Sequence, residues 1–290
     1  MTIPIIDCHN HVWKLEQNDN FSWITDGMDI IRRDFTLSDL AHTLQENNIT
    51  GSILVQAIPV TAESEQLIIL AEQHDFIKGV IGWCDVSQGA NKVQQALDNL
   101  KTHGSLLKGI RHMSQGLTPE HLITKDFIEG CQTIGKNNLV YELLITEDQL
   151  SHATKLIKAC PDVTFVIEHI AKPNIKDFSI KQWQENIHQI ALTSNNVYCK
   201  LSGMVTEADW HNWQQSDFEP YLDILYATFG EDKLIFGSDW PVCQVAGSYK
   251  QVLTIIQKWL SKHPQINAHK IFYQNAQNYT NYNNVIYLYS

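Results

Sequence analysis

Eight times along this 290-residue chain a short apolar segment rich in β-branched residues recurs, and stretches with helical periodicity lie between them. The strand-like segments are "IPIIDC" near residue 3, "SILVQA" at 52, "GVIGWC" at 79, "LLKGIRH" at 106, "LVYELLI" at 139, "VTFVIEH" at 163, "VYCKLSG" at 197 and "LIFGSDW" at 234. Helical candidates between them are "TLSDLAHTLQENN", with Thr36 or Ser38 as cap, "AESEQLIILAEQH", "NKVQQALDNLKTHG", "TEDQLSHATKLIKAC", "IKQWQENIHQIAL" and "FEPYLDILYATFG". Such alternation implies parallel strands joined by helical crossovers. Eight units in about 250 residues predict a closed (β/α)8 TIM barrel. The open doubly wound sheet is second, because no GxGxxG or GxxxxGK[ST] follows the first strand. No linker or fixed-period repeat divides residues 1–290, so one domain is expected, with "NYTNYNN" at 278 to 284 the only low-complexity run.

In a barrel of this kind the C-terminal strand ends converge on one pocket. Here those ends carry His9 and His11, Arg111 and His112, Glu142, Glu168 and His169, and Asp239. Alternation along a strand points His9 and His11 the same way, with Asp7 behind them. Two imidazoles so placed can grip one ion. Zinc takes neutral His nitrogen and carboxylate oxygen at about 2.0–2.2 Å, and catalytic sites keep three protein ligands and an open position. Asp239, on the strand that closure sets beside the first, could complete the set. Each residue also has a plain reading: a chance HxH, a satisfied buried His169, a turn or cap at Asp239, an ion pair at Arg111. Their coincidence at strand ends favours a site.

The longest gap, between the first and second strands, holds Trp13, Phe21, Trp23, Arg32 and Arg33. It is expected either to cover the active face or to form a surface hairpin with its own small core. Trp13, Trp23 and Trp240 could present flat faces to a sugar ring or be ordinary core. Arg32 and Arg33 keep an anionic substrate open.

The net charge of −11, without a basic stripe, argues against nucleic acid as partner. No run of about 18 apolar residues suggests a membrane span, and the N-terminus enters a strand without a basic leader. Six cysteines, scattered singly with no CxxC, read as reduced core thiols and a cytoplasmic protein.

"IIDCHNHVW", "LKGIRH", "VIEHIAKP", "VYCKLSG" and "FGSDWPV" together resemble the motif series of the amidohydrolase-related superfamily. The resemblance runs from strand one to strand eight, and is to the sugar-lactone and aromatic-lactone hydrolases, including L-fuconolactonase and L-rhamnonolactonase. It implies an amidohydrolase-like barrel that hydrolyses a small lactone. His9 and His11 match the paired histidines of the first strand, and His169 the histidine ending strand six. Asp239 matches the strand-eight aspartate that acts as general base. Arg111 matches a basic position that contacts substrate, with His112, Glu142 and the three tryptophans as further substrate-binding candidates.

One divalent ion, zinc first, is implied, with His9, His11 and Asp239 as ligands; lactonases of this branch that work without metal keep a metal-free site open. "LVYELLI" has no histidine, and Lys108 lies within strand four rather than at its end, so the chain departs from the two-metal members. Rival readings are a metal-dependent decarboxylase of the same superfamily, a hydrolase of a dicarboxylate or aromatic-pathway lactone, and a non-catalytic binding barrel.

Overall fold

The computed structural model describes residues 3–15 and 19–280. Residues 281–284 of the Asn/Tyr-rich run lie outside them. One parallel sheet holds eight strands in chain order: β1 Ile6–Asn10, β2 Gly51–Val55, β3 Ile77–Gly82, β4 Leu107–Met113, β5 Val140–Leu144, β6 Phe165–Ile167, β7 Val197–Leu201 and β8 Leu234–Phe236. The ring closes just past β8. Asn10 and Trp240 form a parallel bridge, the His11 amide donates to the Trp240 carbonyl at 2.8 Å, and the Asp239 amide donates to the His9 carbonyl at 2.8 Å. This is the predicted (β/α)8 barrel.

Crossover helices are α1 Leu37–Glu46, α2 Thr61–Ala71, α3 Gly89–Lys101, α4 Lys125–Lys136, α5 Leu150–Ala159, α6 Lys181–Thr193, α7 Gln215–Phe229 and α8 Tyr249–Lys262. Thr36 caps α1 in a reciprocal box with Asp39, as the sequence suggests. A terminal helix, α9 Asn275–Thr280, packs Ala276 and Tyr279 against the barrel interior. None of the described helices is long and apolar enough to cross a membrane.

The strands bury two different faces. Inside, Ile6, Cys8, Ile53, Val55, Ile81, Val140, Val166, Tyr198 and Ile235 form an apolar plug. Outside, the opposite residues pack on the helices in a much larger cluster. Alternation decides which side a residue joins except where the register shifts, as it does between β2 and β3, between β3 and β4, and at β1. There Asp7 pairs with Ser52 and Asn10 with Leu54, so β1 advances three residues while β2 advances two. The extra residue is a bulge, and it breaks the parity expected of Asp7, His9 and His11. Asp7 therefore turns to the outer layer, accepting from Ser238 Oγ at 2.6 Å and Tyr249 Oη at 3.0 Å. His9 and His11 face in.

Candidate active site

Four side chains meet at the seam. His9 Nε2 lies 3.1 Å from His11 Nε2 and 3.5 Å from Asp239 Oδ1. His11 Nε2 is 3.7 Å and His169 Nε2 3.9 Å from the same oxygen. All four residues are buried.

The remaining ring nitrogens are committed elsewhere. His11 Nδ1 donates to the Val55 carbonyl at 2.8 Å, which turns Nε2 toward the cluster. His9 Nδ1 faces Glu168 Oε1 at 3.1 Å, and this shorter of its contacts places a proton there. His169 Nδ1 is held by Ser202 Oγ at 2.9 Å. Burial drives the His9 and His169 rings well below the ordinary histidine range, so both are neutral at pH 7. Burial alone would raise Asp239, but His169 and His11 overcome it and hold the carboxyl below its usual value. Asp239 therefore stays ionised.

Such a cluster suits a cation. Two ring nitrogens 3.1 Å apart, where neither carries a proton, repel each other unless a positive charge lies between them. Donors about 2.0–2.2 Å from a tetrahedral ion stand about 3.3–3.6 Å from one another. The observed separations of 3.1 to 3.9 Å bracket that spacing. His9, His169 and Asp239 place their donor atoms within 4.8 Å of one another, which adds His169 to the expected set of His9, His11 and Asp239.

Unusual backbone delivers two of these groups. β6 ends at Ile167, before the expected Glu168 and His169. His169, Ile170, Ala171 and Lys172 then follow in the left-handed region, with φ of 50°, 51°, 62° and 48°. Each such residue costs about 1 kcal/mol or more. Burial of Ile170 and Ala171 and a 2.7 Å bond from the Trp183 indole to the Ile170 carbonyl offset part of it. Asp239 also has φ of 59°. Gly203 lets the His169 ring approach: a Cβ there would sit 2.4 Å from His169 Nδ1.

Beneath the cluster lies a layer of buried charge. Arg111, Glu142, Glu168 and Lys200 enter from β4, β5, the end of β6 and β7. Arg111 donates to Glu168 Oε2 at 2.8 Å and to the Gln56 carbonyl. Lys200 Nζ donates to Glu142 Oε2 at 2.6 Å. Burial would raise Glu168, yet Arg111, His9 and Lys200 together hold it well below the ordinary carboxylate range. Burial drives Glu142 the other way, with Lys200 opposing and Glu168 reinforcing.

The remaining candidates divide by side of the barrel. Arg111 and Glu142 point inward beneath the cluster, held by Glu168, the Gln56 carbonyl and Lys200, while Arg111 Nε and Glu142 Oε1 are left without a partner. His112, next to Arg111, turns outward by alternation. Its ring lies 5.2 Å from His121 and 5.4 Å edge-on from Phe127 of α4. Its place in the outer layer sets it apart from the inward cluster.

The long first loop forms its own aromatic core. Trp13 meets Phe35, Phe21 and Trp23 at 5.3, 5.8 and 5.7 Å, and its indole donates to the Arg33 carbonyl. Trp240 packs on Phe35 at 5.3 Å. Trp13 and Trp240 are buried in this packing, Trp13 also lying 6.2 Å from the His11 ring, while Trp23 is half-buried with an unpartnered indole N–H. Arg32 bonds the Ile24 carbonyl and Arg33 stacks over Phe35, so both brace the loop. Glu168 and Lys200 had no assigned role in the sequence reading. A lysine inside the fully buried strand "VYCKL" is the signal that pointed to one.

A profile of the amidohydrolase family matches residues 6–278. The chain is 33% identical over 268 residues to an L-fucono-1,5-lactonase of Burkholderia multivorans, covering 88% of each protein. It is 26% identical over 207 residues to an L-rhamnono-gamma-lactonase of Scheffersomyces stipitis, covering 63% of this chain and 60% of that one. A crystal structure of a B. multivorans amidohydrolase with bound zinc superposes with a TM-score of 0.89 at 29% identity, over 97% of this chain and all of that one.

Proposed function

The chain belongs to the amidohydrolase family, and from that premise we propose that it is a lactonase opening a small sugar lactone of the L-fucono or L-rhamnono type to the free aldonic acid. The observation that carries this reading is an ionised Asp239 set against the imidazoles of His9, His11 and His169 at the barrel seam. A lactone is an activated ester, so one base and one electrophile suffice. General acid–base action is worth about 10²–10⁴ in rate.

Asp239 takes a proton from the attacking water and returns it to the departing ring oxygen. His169, fixed through Ser202, orients the reacting groups beside it. His9, His11 and Asp239, with His169 alongside, would hold one divalent ion, zinc being the best match to a nitrogen and carboxylate set. When bound, the ion supplies Lewis-acid polarisation of the ester carbonyl. Glu168 fixes the His9 ring, the role carboxylates commonly play behind ligating histidines. Arg111, Lys200 and Glu142 keep that carboxylate in place. Lys172, which pairs with Glu207 at 3.2 Å, lies close enough to Asp239 and His169 to act on their charge.

A single barrel domain acting on a small-molecule lactone is the reading that the lactonase relatives support. Six free, buried cysteines support a reducing, cytoplasmic setting.

The test is proton release on a panel of five- and six-membered aldonolactones, with dicarboxylate lactones as contrast, before and after chelation. Rapid turnover of L-fucono- or L-rhamnono-lactones is expected. Silence on every sugar lactone from folded protein, or release of carbon dioxide from an aromatic acid, would overturn the reading.

A further inference from the structure

The interior holds a second set of donors. His9, Glu142 and Glu168 each offer one ligand atom within 4.8 Å of the others, and all three are fully buried. Such a set of two carboxylates and an imidazole would ordinarily draw a cation. A cation is already there. Lys200 Nζ lies 2.6 Å from Glu142 Oε2, 3.3 Å from His9 Nδ1 and 3.5 Å from Glu168 Oε1. Glu142 Oε1 remains buried without a partner, so the set has donor capacity that one ammonium leaves unused.

We propose that Lys200 is a tethered cation filling a metal-like site made by the Glu142 and Glu168 carboxylates beside His9, which limits the barrel to one exchangeable ion. A buried lysine is costly unless fully paired, and removing its charge leaves two buried carboxylates uncompensated. Those carboxylates must then find another cation. Glu168 cannot serve as the proton acceptor while Arg111 holds it at 2.8 Å. A divalent ion entering beside Glu142 satisfies both carboxylates. Lys200 is thus a positioning residue, acting through the groups it neutralises.

The experiment counts bound Cd²⁺ per chain by equilibrium dialysis and elemental analysis, for the natural protein, for Lys200→Met and for Lys200→Met/Glu142→Gln. One ion is expected in the natural protein, two in Lys200→Met, and one again in the double variant. The count rests on the proposed site at His9, His11 and Asp239 only for its first ion. No ion in the natural protein but one in Lys200→Met would remove that first site and leave this proposal standing. Two ions in the natural protein, or an unchanged count in folded Lys200→Met, would overturn the proposal. If Lys200→Met is soluble only when Cd²⁺ is present during refolding, the ion replaces the ammonium as expected. Insolubility with and without Cd²⁺ counts against it.

Discussion

Arg111 and His112 are adjacent on β4, yet they live in different chemical worlds. Arg111 points into a layer of charge, where every partner is an ion or a carbonyl. His112 points out among His121, Phe127 and Trp83, and burial lowers its ring to about 4. One face of the strand stores charge that must be matched atom for atom. The other packs mainly rings, with the Asp85 carboxylate 3.8 Å from the His112 ring. Identical burial thus carries opposite tolerance to substitution, and the direction a side chain points decides which.

The contrast is broken most severely at the inner face. Asp239→Asn keeps shape but removes the proton acceptor, so kcat should fall about 10³–10⁴-fold with the melting midpoint little changed. Retention of more than a few per cent of turnover would show that Asp239 is not the base. The double change His9→Ala, His11→Ala should next abolish bound divalent ion on elemental analysis; an unchanged metal content would sink the ligand assignment. Glu168→Gln leaves the Arg111 and Lys200 charges poorly matched and should cost about 3–5 kcal/mol in denaturant unfolding. A loss under 1 kcal/mol would mean that the inner layer is as forgiving as the outer.

The smallest effect belongs to the outer face. His112→Phe should change stability by less than about 1.5 kcal/mol at pH 8 and leave turnover within a few-fold. Its signature is in acid. The ring's folded pKa of about 4 lies below the ordinary 6.5, so as pH falls the unfolded chain takes up its proton first. The stabilising difference is complete above pH 6.5 and is lost on descending to about 4, a slope worth about 3 kcal/mol in all. Melting curves from pH 8 to 4 should be flatter for His112→Phe than for the natural protein. Equal slopes would place the acid sensitivity elsewhere.

The strands were legible because a buried parallel strand is a near-continuous run of β-branched residues. Two helices were harder to see. α4 contains Gly130 and Gly135, which weaken a helical signal, yet a Cβ on Gly130 would sit 2.3 Å from the Val86 carbonyl. α8 carries Val252, Thr254, Ile255 and Ile256, which read as strand until Trp259 and Leu260 are seen to share their buried face. His9, His11, His169 and Asp239 stood out because strand ends converge in any such barrel. The outward turn of Asp7 was hidden, since a bulge leaves no mark in composition. Lys200 stood in plain view, but its three partners come from three other strands, and only the closed ring brings them within reach.

That closure also sets when the protein becomes an enzyme. The amide of Ser238 donates to Asp7 across 231 residues of chain, and the His9 and Asp239 bonds lie at the same junction. No nascent chain shorter than nearly its whole length possesses both halves of the pocket. During synthesis the barrel can bury much of its core while remaining inert, and hydrolysis begins only when the last strand docks on the first. Activity regained during refolding is therefore a clock for the final step of assembly, and should lag the recovery of helical signal.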